Sequence, residues 1–416
     1  MAIVRGARVR SPGCLEKGIE MSAIKQFKPI GRIASASGMI DGHDAFAANK
    51  PTPLKVHPKP VLITGGCGFI GTNLAHRLLS AGQSVIVYDN LSRRGVDRNL
   101  QWLSQMHGKL LIAETADVLD APRLRKAVDR CSSAFHFAAQ VAVTTSLVDP
   151  IHDFEVNARG TLNLLEALRA QETPPPLVFT STNKVYGGLP DVTLTRNGER
   201  YEPQDLSLRG TGIGENRHLD FHSPYGCSKG TADQYVLDYA RTFNMPAVAF
   251  RMSCIYGPHQ CGNEDQGWVA HFLIKAINRE PITLYGDGMQ VRDILFVEDL
   301  VDAFLTARAH MPQISGQAFN IGGGVNNTVS LLELLDAIES MNGRRPDVRF
   351  GPWRPGDQRY YVSDTAKMKK LTGWSPRVSV ASGLSQLHQW LTENVATPST
   401  LTGEQVNDHA VVHAAS

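Results

Sequence analysis

The sequence has few of the features that settle a class at once. Its 416 residues hold only six cysteines, Cys14, Cys67, Cys131, Cys227, Cys254 and Cys261. They are scattered, and no CxxC pair points to a metal or redox site, so no metal is expected. Reduced thiols in a cytoplasmic protein are the simpler reading. Charge of one sign is also missing: 42 Lys and Arg against 40 Asp and Glu leave a net +2. Nothing in that balance asks for nucleic acid or a membrane surface as partner. No apolar run is long enough to span a bilayer. The first twelve residues carry arginines but no apolar stretch of the secretory type, so no signal peptide is expected. With 42% hydrophobic residues the chain can bury a large core, as one large domain plus a smaller one, or as two.

Strong periodicity is absent from both ends. Residues 1–57 are rich in Lys, Gly, Ser and Ala, end in Pro51, Pro53, Pro58 and Pro60, and read as a flexible arm; Met21 could also begin the protein. The tail 398–416 reads the same way. Between them, short apolar runs at 61–64, 84–88, 110–115, 134–137, 177–180 and 247–251 alternate with helical stretches at 72–81, 157–169 and 225–243. In the second of these helices Leu162, Leu165 and Leu168 form the stripe. The alternation predicts an α/β fold: a Rossmann-like, doubly wound parallel sheet over 58–255, with an insertion at 188–222. Residues 256–397 are expected to form mainly a smaller α/β substrate-binding domain, with some segments returning to the first.

Gly65-Gly66-Cys67-Gly68-Phe69-Ile70-Gly71 follows the first strand and opens a helix. Glycines at 65, 68 and 71 suit a tight turn, a close backbone approach to a pyrophosphate and close helix packing. The helix N-terminus supplies free N–H groups for the phosphates. Asp89 ends the next strand, where a carboxylate accepts from ribose hydroxyls and repels a 2′-phosphate, which favours NAD over NADP. Arg93 and Arg94 lie close enough to offset that preference. Further on, Tyr225 and Lys229 stand one helical turn apart. An ammonium beside a phenol stabilises the phenolate, which can then take a proton from a sugar hydroxyl.

The glycine spacing, Phe137-Ala138-Ala139, Asn157 before Gly160-Thr161, Thr180-Ser181-Thr182, Tyr186-Gly187 and the Tyr225/Lys229 pair together resemble the extended short-chain dehydrogenase/reductase superfamily, over roughly 61–391. Within it, three strings are similar to the CDP-paratose 2-epimerase (CDP-tyvelose epimerase) family. They are Ser181-Thr182-Asn183-Lys184-Val185-Tyr186-Gly187, the run from Leu219 to Lys229, and Asp265-Gln266-Gly267-Trp268-Val269.

The resemblance implies that Thr182 partners the reacting sugar oxygen, Tyr225 is the acid/base, and Lys229 holds the nicotinamide ribose and lowers the tyrosine pKa. For a tightly bound NAD, recycled in each turnover, it implies a groove of Gly65, Gly68, Phe69, Ile70, Gly71, Asp89, Asn90, Ser92 and Arg94, continued by Asp117, Val118, Ala138, Ala139, Gln140, Asn157 and Ser181. For a nucleoside-diphosphate sugar it implies Asn183, Gln266, Tyr285, Arg292, Arg354 and Asp357, with both arginines on the diphosphate and Asp357 near the nucleotide ribose. A homodimer or homotetramer is implied as well.

Dehydratases of the superfamily place acidic residues directly after the threonine, and the related decarboxylases usually carry a Glu there. Asn183 and Lys184 cannot act as a carboxylic acid/base pair. That leaves a redox-neutral epimerase, acting on C2 of a CDP-sugar or on C4 of a UDP-sugar. A non-catalytic NAD-binding scaffold stands as the alternative of another class. Trp268 and Tyr285 either stack on base or sugar or belong to the core. His218 and His222 read as structural, and the insertion around them either covers the sugar or builds a subunit contact.

Overall fold

The computed structural model describes residues 55–354 and 356–394. The expected tail, Met21 and all but the last residues of the expected arm lie outside the described residues. Seven strands form one parallel sheet in the order Ala318–Ile321, Ala247–Met252, Leu177–Thr182, Ser133–His136, Val61–Thr64, Val85–Asp89, Leu111–Thr115. The central strands are buried along their whole length, their polar ends included, because helices cover both faces. The order reverses beside Val61–Thr64, and the crevice at such a reversal is where open α/β sheets bind ligands.

Two helices start elsewhere than their periodicity suggests. The first runs Phe69–Ser80, because the glycine loop already supplies its first turn. The helix Gly160–Arg169 is preceded by a π-turn, Glu155–Arg159. Its buried stripe is Thr161, Leu164, Leu165 and Leu168, with Leu162 at the margin.

Beyond Met252 the chain forms a second, smaller set of strands. Val291–Phe296 pairs with Cys254–Tyr256, Thr328–Ser330 and Tyr360–Tyr361. Ile282–Tyr285 pairs with Val348–Gly351. A cluster of Phe272, Leu273, Phe296, Leu334 and Leu387 packs under the helices Trp268–Ile277, Leu331–Asn342 and Val380–Asn394. Phe304, on the helix Val297–Ala309, instead faces Phe135 and Phe250 of the large sheet.

The insertion folds as a hairpin, Leu194–Asn197 with Arg200–Pro203, and a short helix, Leu206–Thr211. It is fastened to the C-terminal segments. Tyr201 N donates to Met289 O (3.0 Å), Ile213 N donates to Val362 O (2.7 Å), and Arg200 pairs with Glu333 (3.3 Å).

Candidate active site

The glycine loop turns at the C-terminal end of Val61–Thr64. Gly65 has φ +67°, and a Cβ there would lie 2.6 Å from Ala138 N, so only glycine permits the approach. Asp89 straps the loop from the next strand: its carboxylate accepts from Cys67 N (3.0 Å) and Leu91 N (2.9 Å). Burial pushes the Asp89 pKa up, and the Leu91 and Cys67 N–H groups pull it back. Asn90 donates to Asp117 (2.8 Å) and accepts from Ser92 N (3.1 Å), which fixes the groove edge beside the buried Val118.

Ala138, Ala139 and Gln140 follow the fourth strand. Asn157, on the π-turn, accepts from Gln140 N (3.0 Å) and donates to Gln140 O (3.0 Å), tying that loop to the helix below. The Ser181 hydroxyl is buried and has no hydrogen-bond partner among the described residues. A loop that only glycine can close, a carboxylate at the strand end and an unpartnered buried hydroxyl fit NAD along this groove. Arg93 and Arg94 are both exposed, and it is Arg93 whose guanidinium comes within electrostatic reach of both Asp89 and Tyr225.

Tyr225 sits in the first turn of the helix Ser223–Phe243, where Pro224 suits the start of a helix and Tyr225 N donates to Ser146 (3.2 Å). Thr182 stands close enough to the phenol to pull its pKa down. Thr182 Oγ1 also accepts from Lys184 N (3.2 Å), so the turn after the strand sets its direction.

The resemblance implied a lowered Tyr225 pKa, and here it is raised, to about 12. Burial dominates, Asp153 adds to it, and Thr182 and Arg93 oppose it. Lys229 is itself buried and pushed down to about 7, with Asp233 and Asp153 working the other way. Its ammonium donates to Thr180 O (2.6 Å) and lies 4.3 Å from the centre of the Phe179 ring, so its charge is spent on the strand beneath the phenol.

Asp153 was not singled out by the sequence. It is wholly buried, accepts from Asn157 (3.1 Å) and Ser228, and faces both Tyr225 and Lys229. Its spacing four residues before Asn157 is the signal that would have found it.

On the C-terminal side, Arg292 is buried and binds Asp357 (2.7 Å) and Gln358 O. Asp357 therefore sits with the first arginine of the grip. Arg354 turns to the loop before Trp268: it donates to Glu264 O (2.9 Å), lies 3.6 Å from Asp265 and stacks 3.8 Å from the Tyr285 ring centre. Tyr285 is hydrogen-bonded to Glu264. The backbone of Gln266 closes the same loop against Asn263. Trp268 takes the core option, half-buried with its N–H on Cys254 and its ring edge-on to Phe272. Asn183 is buried beside Thr182. His222 pairs with Asp220 (2.9 Å), and among the described residues no group of His, Cys, Asp and Glu is arranged to hold a metal ion.

The model of the NAD dependent epimerase/dehydratase family matches residues 61–322. A CDP-paratose 2-epimerase of Salmonella typhi is 45% identical over 79% of this chain and 98% of its own length. A UDP-glucose 4-epimerase of Mycolicibacterium smegmatis is 32% identical over 78% of this chain and 96% of its own. Among solved structures, the Thermus thermophilus UDP-glucose 4-epimerase in complex with NAD superimposes with a TM-score of 0.68 and 31% identity, over 81% of this chain and 100% of that one.

Proposed function

The chain belongs to the NAD dependent epimerase/dehydratase family, and from that membership we propose that it inverts C2 of a CDP-sugar by transient oxidation and re-reduction. The observation that carries this reading is the pairing of Thr182 and Tyr225 beside Asn183 and Lys184, with no carboxylate after the threonine to eliminate water. The similarity to a CDP-paratose 2-epimerase supports C2 and the cytidine nucleotide. With both Tyr225 and Lys229 in place and an enzyme family matched, a non-catalytic scaffold is set aside.

NAD, when bound, takes up hydride from the sugar and returns it, so it is regenerated in each turnover. The glycine loop, Asp89 and Ser181 hold it. Tyr225 accepts the proton of the C2 hydroxyl, and Thr182 keeps that oxygen on the phenol. Lys229 keeps the strand end and the phenol in register. Arg292 and Arg354 grip the diphosphate, so the keto sugar can turn its other face inward without leaving. Tyr225 then returns the proton, and the centre is inverted. A cytoplasmic location goes with this reading.

The similarity to UDP-glucose 4-epimerases gives a second reading, C4 of a UDP-sugar. Substrates deuterated at C2 or at C4 separate the two. C2 epimerisation predicts that a C2 deuteron slows turnover and is kept, inverted, in the product seen by NMR. An isotope effect from C4 alone would replace the first reading with the second.

We also propose a homodimer. The helices Val143–Val148 and Pro150–Phe154, packed beside the Tyr225 helix, expose Leu147, Val148 (85%), Ile151 (76%) and Phe154. A contiguous apolar face of this kind is costly in water and suits a second copy. Light scattering should find a dimer or larger for the native protein and a monomer for Val148→Glu/Ile151→Glu. An unchanged mass would remove this face from the contact.

A further inference from the structure

Lys184 joins the two halves of the site. Its backbone N–H is bonded to Thr182 Oγ1, so the residue is rooted at the reacting end. Its side chain runs to the phosphate arginine. There Nζ donates to Gly356 O (3.3 Å) and lies 3.8 Å from Asp357 Oδ1, the oxygen that also binds Arg292 at 2.7 Å. One carboxylate thus faces two cations, which leaves one positive charge uncompensated beside Asp357. Of its three donors, the ammonium uses one in a hydrogen bond among the described residues. Burial works against the charged form, and Asp357 works for it. A phosphate anion would complete the set.

We propose that Lys184 is a specificity-determining residue: together with Arg292 it binds the phosphate attached to sugar C1, and so presents C2 rather than C4 to Tyr225. In a nucleotide sugar C2 is bonded to C1, the carbon that carries the phosphate, whereas C4 lies across the ring. A cation that starts on the turn holding Thr182 and ends at the phosphate arginine spans the shorter of these two separations. Held there, the phosphate fixes C1 close to the reacting groups, and the neighbouring carbon is the one they reach. This rests on the reading of the site as that of a nucleotide-sugar epimerase.

The experiment compares CDP with CMP as probes, because they differ in the β-phosphate alone. Calorimetry on the NAD-loaded protein should show Lys184→Met weakening CDP by about tenfold or more while CMP is unchanged, since a charge-assisted bond to phosphate is lost. Lys184→Arg should restore most of the CDP affinity. With the CDP-sugar, Lys184→Met should lower kcat as well as raise KM, because a loosely held ring presents C2 less often. Lys184→Gln serves as the neutral variant if the methionine variant fails to fold. Equal affinity of CDP for the native protein and the neutral variant, or equal weakening of CDP and CMP, would overturn the proposal. If the native protein prefers UDP-sugars, the base assignment fails, and UDP against UMP tests Lys184 in the same way.

Discussion

Tyr225→Phe is expected to keep NAD bound and to lower kcat by about 10²–10⁴-fold, because the proton acceptor of the proposed mechanism is removed while the ring still fills its place beside Thr182. The pH dependence follows from the two shifted groups. In the proposed mechanism the competent pair holds a phenolate at Tyr225 and an ammonium at Lys229, the same proton count as a phenol beside a neutral amine. With the phenol pushed up to about 12 and the amine pushed down to about 7, the total proton count is constant between those values. The profile of kcat/KM should be flat there and fall below about pH 7, where the pair takes up a second proton. Lys229→Met should abolish that acid limb and leave a rate that climbs with pH toward the tyrosine value. A native profile with no fall below neutrality, or a phenylalanine variant within a few-fold of native, would remove Tyr225 and Lys229 from these roles.

Asp233→Ala is expected to cost roughly 3–5 kcal/mol of stability. Asp233 and Arg251 are both buried, and the carboxylate meets the guanidinium twice, at 3.0 Å (Nε) and 2.9 Å (Nη2). Arg251 also donates to Tyr186 (3.2 Å), whose hydroxyl donates to Asn320 (2.7 Å). Removing the carboxylate strands a charge in the core between the Tyr225 helix and its neighbouring strand. Denaturant unfolding should show the midpoint falling with an unchanged slope. Asp233→Leu/Arg251→Met should recover most of the loss, since the pair is replaced by packed apolar groups. A single alanine variant as stable as the native protein would show that the pair contributes nothing net.

Six of the seven strands of the large sheet were legible, because each contains a short apolar run bounded by turn residues, the pattern that burial between helices favours. The seventh, Ala318–Ile321, lies where the alternation has already lost its regularity. The glycine loop was legible because close approach leaves no other residue possible at Gly65. What escaped were matters of direction and of distance along the chain. That Lys229 turns to Thr180 O depends on a carbonyl 49 positions earlier. Arg354 meets Glu264 across 90 positions, and no local pattern links them. Arg93 and Arg94 look alike in sequence, and only the left-handed turn at Leu91 and the helix that follows decide which one reaches Asp89. Asp153 meets Ser228 across 75 positions, and only its spacing from Asn157 is local.

The strand Ala318–Ile321 closes the edge of the large sheet, yet it follows the strands Cys254–Tyr256, Ile282–Tyr285 and Val291–Phe296 of the smaller set in the chain. During synthesis the sheet therefore stays open at Ala247–Met252 until more than sixty further residues have emerged. Through that interval an apolar strand offers its unpaired backbone to any neighbour, the condition that favours edge-to-edge association. The nucleotide-binding part is then no autonomous module. A nascent chain stopped near residue 255 would need protection, and the two parts of the catalytic cleft reach their final form together.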